Sequence, residues 1–239
     1  MTPLRRLVRR LGYDLTPRDK AKVPEAQLVA LLERFAISCV LDVGANVGQY
    51  AKRLREWGYR GRTVSFEPLA DAHAALVRRA AADPLWQVAP RMALGAEDGE
   101  VEIEVSAESD MSSILPQTAL LREISPSSRV LRREHVSLCR LDAVADGYLR
   151  PDDRVLLKLD TQGFEPQILA GAAGLIPRLA GIQLEMSLVP IYQGERNFRD
   201  LLDHLAAAGF APYLFLPGYF ERKLARQLQI DGVFMREPA

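Results

Sequence analysis

The amino-acid sequence predicts an α/β fold. The expected form is a Rossmann-like, doubly wound, mostly parallel seven-stranded sheet. It carries an antiparallel terminal strand, helices on both faces and an N-terminal helical extension. Three observations predict it. From Cys39 onward, short apolar runs alternate with stretches of helical period, the pattern of βαβ units with right-handed crossovers. The first run, Cys39-Val40-Leu41-Asp42-Val43, enters a turn, Gly44-Ala45-Asn46-Val47-Gly48, and then a helix. Such a strand–turn–helix presents backbone N–H groups and a helix N-terminus to a ligand. The last two apolar runs, Pro212–Leu216 and Gly232–Met235, read as an antiparallel pair.

Composition sets the bounds. The chain has 239 residues and 48% apolar content, enough for the core of one large domain. Its 31 basic and 31 acidic residues balance, so no global field draws it to nucleic acid or membrane. Cys39 and Cys139 fall in expected buried strands and read as reduced core residues. No apolar run reaches the roughly 18 residues of a membrane span, and Arg9 and Arg10 interrupt any signal-peptide core. The expected location is cytoplasmic.

Taken in order, Leu4 to Leu11 reads as a short amphipathic helix with a basic face of Arg5, Arg6, Arg9 and Arg10, stopped at Gly12. Pro24 to Phe35 is a second helix, with Leu28, Leu31, Leu32 and Phe35 on one face. Residues 1–37 therefore form a helical extension packed on a core of residues 38–239. Cys39–Val43 is a strand, Gln49–Trp57 a helix, Thr63–Phe66 a strand and Ala70–Ala82 a helix. Trp86–Leu94 holds a third strand. Val101, Ile103 and Val105 alternate with acids and predict an exposed antiparallel strand after the Asp98-Gly99 turn. Ser109 to Arg133 is polar and without period, the mark of a lid or substrate-contacting loop. Val136–Leu141 is a strand, followed by a short helix from Asp142. Strands at Arg154–Leu159 and Gly181–Met186 and helices at Pro166–Ala172 and Phe198–Ala208 complete the alternation.

Chemistry-bearing residues gather at the ends of these strands, where open α/β sheets bind ligands. Glu67-Pro68 ends the second strand, about 20 residues beyond the glycine turn, where a carboxylate accepts both ribose hydroxyls. A dinucleotide fingerprint needs glycine at the turn's middle position; here Asn46 stands there, and Gln49 replaces the last glycine. A ligand without phosphate fits better. S-adenosylmethionine, a nucleoside with an amino-acid tail and a sulfonium charge, is such a ligand.

A second cluster closes the fourth strand: Lys158-Leu159-Asp160-Thr161-Gln162-Gly163-Phe164-Glu165. Lys158 and Asp160 share a face by strand alternation, and Glu185 ends the next strand at the same edge. Lys158, Asp160, Glu165 and Glu185 are the expected catalytic group, able to hold a hydroxyl-rich acceptor and take its proton. Asp160 is the first choice for base or orienter and Glu185 the second. The carboxylates also have the chemistry to take a divalent cation, though spacing alone does not show one. His73, His135 and His204 read as surface or packing residues.

Several motifs resemble, in order, those of the FkbM-type methyltransferases. They are Val40-Leu41-Asp42-Val43-Gly44-Ala45-Asn46-Val47-Gly48, Phe66-Glu67-Pro68, Ala93-Leu94-Gly95, Ser112-Ser113, Leu141-Asp142 and Leu157 to Glu165. The resemblance spans roughly residues 38 to 236. It implies a class I S-adenosylmethionine-dependent enzyme, largely an O-methyltransferase of sugars, polyketides and other natural products. It implies a cofactor set of Asp42, Gly44, Ala45, Asn46, Gly48 and Tyr50, then Glu67 and Pro68, Ala93 and Leu94, Ser112 and Asp160. Met92 to Leu94 would flank the adenine, and Ser112 and Ser113 the methionine end or the acceptor. The family commonly carries a Val-Glu pair where this chain has Thr161-Gln162, and no role is assigned to Gln162.

The expected function is O-methylation of a hydroxylated small molecule, with no nucleic-acid partner and no stable membrane insertion. The oligomeric state stays open, a dimer included. The competing readings are an N- or RNA-base methyltransferase and a non-catalytic S-adenosylmethionine-binding protein. Asn46 and Gln49 oppose a nicotinamide oxidoreductase.

Overall fold

The computed structural model describes Arg10 and residues 23–237. The expected basic helix from Leu4 to Leu11 lies outside the described residues except for Arg10. In chain order the elements begin α1 (Pro24–Arg34), β1 (Cys39–Val43), α2 (Gln49–Glu56), β2 (Arg62–Phe66), α3 (Ala70–Ala80) and β3 (Trp86–Val88). There follow β4 (Ala93–Gly95), β5 (Gly99–Ser106), α4 (Ala119–Ile124), β6 (Val130–Arg140), α5 (Leu141–Val144), β7 (Val155–Leu159) and α6 (Glu165–Ala170). The chain closes with β8 (Leu179–Ser187), α7 (Phe198–Ala207), β9 (Ala211–Pro217), β10 (Phe220–Glu221), β11 (Arg226–Gln227) and β12 (Gln229–Met235).

The main sheet has seven strands in the order β3-β2-β1-β7-β8-β12-β9. β1 pairs in parallel with both β2 and β7, and β7 with β8. The sequence order therefore reverses between β1 and β7, which opens a crevice at the carboxyl ends of those strands. β12 runs antiparallel to both β8 and β9, so the chain-terminal strand is inserted one place in from the edge.

Every residue of β1 and β7 is buried, as strands covered on both faces must be. On one face Val40, Leu156 and Val233 pack with Leu28, Val29 and Leu32 of α1 and Leu54 of α2. On the other, Leu41, Val43, Leu157 and Leu159 pack with Ile168 and Leu169 of α6 and Leu201 and Leu205 of α7. The period-two alternation of the strands assigns each side chain to one of these two cores.

Four expectations need correction. The stretch from Trp86 to Leu94 holds two strands, not one: β3 extends the main sheet, while β4 joins β5 and β6 in a separate three-stranded sheet. Pro90 between them withholds a ladder donor and lets the chain change sheets. The strand expected at Val136–Leu141, β6, begins at Val130. Its first half is exposed and charged, so no apolar pattern betrays it. Cross-strand ion pairs hold it instead: Arg133 lies 3.0 Å from Glu102 and 2.9 Å from Glu104. The expected loop from Ser109 carries α4, whose N-cap Thr118 accepts the Leu121 N–H. Cys139 is half-buried rather than buried, and both cysteines are free thiols. No helix among the described residues is long and apolar enough to cross a membrane.

Candidate active site

The turn after β1 is held in an unusual shape by its own neighbours. Gly44 and Gly48 have φ of +72° and +83°, and Asn46 between them has φ of +47°. The left-handed Asn46 is pinned at both ends. Its backbone N–H donates to Glu67 Oε2 at 2.7 Å, and its side-chain amide donates to Ser109 Oγ at 3.1 Å. Glu67 also accepts the Leu69 N–H on Oε1 at 2.9 Å. Burial pushes the Glu67 carboxyl up to about 7, against the pull of those two N–H donors and the Lys158 charge.

Gly44 is also where the two motif stretches touch. A Cβ there would lie 1.9 Å from the Asp160 carbonyl oxygen, so only glycine lets the turn pass over the end of β7. The Asp160 N–H donates to the Val43 carbonyl at 3.2 Å, and Lys158 Nζ to the Gly44 carbonyl at 3.3 Å. Asp42 and Lys158 are cross-strand partners in the β1–β7 ladder. Their side chains form a buried ion pair, Nζ to Oδ1 at 3.0 Å. Burial opposes the Lys158 charge, but Asp42 and Asp160 outweigh it and hold the ammonium above lysine's ordinary range.

Over this floor lies an open cleft. Of the residues expected at the cofactor, Gly44, Asn46, Glu67, Pro68, Ala93, Leu94, Ser112 and Asp160 line it. So do Met92 and Ser113. The two serine hydroxyls hold the loop in place: Ser112 Oγ accepts the Ser106 N–H, and Ser113 Oγ donates to the Gln162 carbonyl. Four expected residues stand behind the wall. Asp42 is spent on Lys158. Ala45 packs with Ala51, Leu76 and Trp86. Gly48 backs onto Trp86 and Leu76. Tyr50 is buried and donates to Gln183 Oε1 at 2.7 Å.

Of the expected catalytic group, only Asp160 lines the cleft. Lys158 is beneath it. Glu165 is buried at the start of α6 and turns back to accept the N–H and hydroxyl of Thr161, at 2.7 and 3.0 Å. Burial pushes its carboxyl up to about 7, against the Thr161 donors. Glu185 is half-buried and reaches the site only through Gln162.

Gln162 is the residue that sequence reasoning left without a role. Its Nε2 donates to Asp160 Oδ1 at 3.1 Å and to Glu185 Oε2 at 3.0 Å. Its Oε1 accepts the Tyr192 hydroxyl at 2.9 Å. Gln229 donates to the same Glu185 oxygen at 2.7 Å. Burial, then Asp160 and Asp231, push the Glu185 carboxyl well up. The departure from the family pattern at position 162 was the visible signal. Tyr192 and Gln229 gave none, because they come from distant segments. The histidines sit away from the cleft; His73 bonds the Ala89 carbonyl and His135 is exposed beside Glu102. Among the described residues no group of three or more His, Cys, Asp and Glu side chains is arranged to hold a metal ion.

The model of the Methyltransferase FkbM domain matches residues 42–212 of this chain. No curated protein matches it. Among solved structures, a TehB-like SAM-dependent methyltransferase from Corynebacterium glutamicum is 10% identical, with TM-score 0.42 over 97% of this chain and 94% of that one. An rRNA methylase from Streptococcus thermophilus is 11% identical, with TM-score 0.46 over 91% and 98%. Aeropyrum pernix fibrillarin, in complex with S-adenosyl-L-methionine, is 8% identical, with TM-score 0.46 over 83% and 66%.

Proposed function

We propose, since the chain belongs to the FkbM methyltransferase domain family, that it methylates a hydroxyl oxygen of a small molecule such as a sugar, glycoside or polyketide. The chain is an S-adenosylmethionine-dependent methyltransferase; the oxygen and the acceptor class are the proposed part.

One observation carries the cofactor's place. The charged residues lining the cleft are Glu67, Asp110 and Asp160, with no lysine or arginine among the described lining residues. A phosphate ligand needs donors and positive charge; this wall offers acceptors and negative charge. A ligand with a sulfonium, an ammonium and two ribose hydroxyls fits it. Gln49, also on the wall, has a buried Oε1 without a hydrogen-bond partner. A buried acceptor left open costs free energy until a donor reaches it, and an ammonium is such a donor.

Bound S-adenosylmethionine supplies an electrophilic methyl group on a positively charged sulfur. Glu67 would take the ribose hydroxyls, each carboxylate oxygen still having a lone pair beyond its backbone donor. Met92, Ala93 and Leu94 would flank the adenine as an apolar slot. Asp160 would orient the acceptor hydroxyl and take its proton as the new C–O bond forms. Its carboxylate is fixed for that by Gln162 on one oxygen and by Lys158, 3.5 Å away, on the other.

Calorimetry with S-adenosylmethionine and NAD, followed by product mass spectrometry on sugar, polyketide and RNA acceptors, tests the reading. Binding of S-adenosylmethionine and a gain of one methyl mass on a hydroxylated small molecule is the expected result. Methylation of RNA alone, or of a nitrogen, would overturn the acceptor class.

A further inference from the structure

Tyr192 does not line the cleft, yet its hydroxyl bonds the residue that holds Asp160. The ring is buried among Leu121, Ile124, Ile191 and Leu228. Burial, then the charges of Glu185 and Glu195, push the phenol well above tyrosine's ordinary range, so it stays a donor. The hydroxyl donates to Gln162 Oε1 at 2.9 Å and lies 3.1 Å from the Met111 carbonyl. One hydroxyl carries one proton, and the shorter contact is to Gln162.

The surroundings of Gln162 fix the direction of its amide. The two N–H groups are engaged by carboxylates, Asp160 at 3.1 Å and Glu185 at 3.0 Å. Turned over, the amide would aim its oxygen at both carboxylates and leave one N–H without an acceptor. The backbone is held as well. Gln162 has φ of +55°, the left-handed region, and its carbonyl accepts the Ser113 hydroxyl at 2.7 Å. A non-glycine residue keeps that conformation only where its surroundings impose it.

We propose that Tyr192 is a positioning residue of the methyl transfer: by donating to Gln162 Oε1 it keeps an amide N–H on Asp160, the group assigned above to take the acceptor's proton. The proposal rests on that reading and deepens it. Without the hydroxyl, Oε1 is a buried acceptor with no donor, a cost that turns or displaces the side chain. Glu185 keeps Gln229 at 2.7 Å, but Asp160 loses the donor on Oδ1. Lys158 of β7 then faces it together with the like charges of Glu165 on α6, Glu185 on β8 and Asp231 on β12, with Glu195 beyond Glu185. A carboxylate that loses a donor among like charges holds its proton to higher pH.

The experiment is carboxyl carbon-13 NMR of Asp160 against pH in the full chain. S-adenosylmethionine affinity by calorimetry and unfolding in urea are measured beside it. Tyr192→Phe removes the hydroxyl and leaves the ring in its cluster. It should raise the Asp160 titration midpoint by about one pH unit and keep S-adenosylmethionine affinity within about two-fold. Gln162→Leu should raise the midpoint by a similar step, and the double variant no further, since both changes break the same link. In labelled methyl transfer to methyl glycosides, the acid limb of the Tyr192→Phe rate profile should move up by that step, with kcat lowered at neutral pH and KM unchanged. An unmoved Asp160 midpoint in folded Tyr192→Phe would overturn the proposal and leave the tyrosine a packing residue. So would shifts that add in the double variant. The wild type supplies a test that needs no substitution: the Gln162 side-chain amide should titrate together with Asp160, and an amide indifferent to pH would overturn the proposal. If the Asp160 shift is found but the wild type methylates no glycoside, the positioning of Asp160 stands and the acceptor reading falls.

Discussion

Lys158 and Asp42 form an ion pair of 3.0 Å between side chains that are 5% and 0% exposed. It ties β1 to β7 directly under the cleft. Removing one partner leaves a buried charge without compensation, which costs roughly 3–5 kcal/mol. Lys158→Met should therefore destabilise the fold by about that much in urea unfolding. Lys158→Met combined with Asp42→Leu should cost less than Lys158→Met alone, because no charge is stranded. A double variant as unstable as the sum of the singles would refute the coupling.

Gly44 bears a positive φ and presses on the Asp160 carbonyl. Gly44→Ala adds a methyl where backbone already stands and strains the left-handed conformation. The expected loss is about 3 kcal/mol or more, read from the urea midpoint. A variant of unchanged stability would mean that the turn and β7 are not in contact.

Glu67 gives a pH dependence of known sign. Its carboxyl sits at about 7 in the folded chain against an ordinary 4.5. The folded state therefore binds the extra proton between those values, and Glu67's contribution to stability falls as pH rises through 4.5 to 7. Cofactor binding should go the other way, because two hydroxyl donors and nearby positive charge favour the ionised form. Calorimetry should find affinity about ten-fold lower at one pH unit below that midpoint than well above it. Glu67→Gln should bind weakly and with a flat pH profile; a profile of wild-type steepness would remove Glu67 from the ribose assignment.

Gln162→Glu restores the family's usual residue but converts a two-donor amide into a third carboxylate. Asp160 and Glu185 would each lose a donor and gain a like charge. One of the three must then hold a proton near neutrality, so the pH optimum of turnover should move up. The pH–rate profile is the readout. An unmoved profile would show that the amide does not set the state of Asp160.

Asp160→Asn should lower turnover sharply and leave S-adenosylmethionine affinity nearly intact, since the amide keeps the shape but cannot take a proton. Isotope-labelled methyl transfer against calorimetry separates the two effects. A variant as active as wild type would exclude Asp160 as the proton acceptor.

The strand–helix alternation, the glycine turn and the acids at the strand ends were legible in the sequence, because each is set locally. Burial on both faces imposes apolar runs on β1 and β7. A left-handed turn demands Gly44 and tolerates Asn46. Period-two alternation places Lys158 and Asp160 on one face. β6 was half hidden because cross-strand ion pairs stabilise its exposed end, and a charged strand leaves no hydrophobic period to read.

What the tertiary structure alone decided is which of those residues face the ligand. Asp42 and Lys158 read as site residues, yet the β1–β7 register turns them toward each other. Glu165 and Glu185 read as catalytic acids, yet their nearest donors are a threonine and two glutamines. Gln162 showed only as a departure from the family pattern, and Tyr192 and Gln229 showed nothing; together they hold Asp160 and Glu185 in place. The sequence by itself determined the scaffold and the chemical inventory at its edge. Pairing across strands far apart in the chain decided which carboxylates are satisfied within the protein.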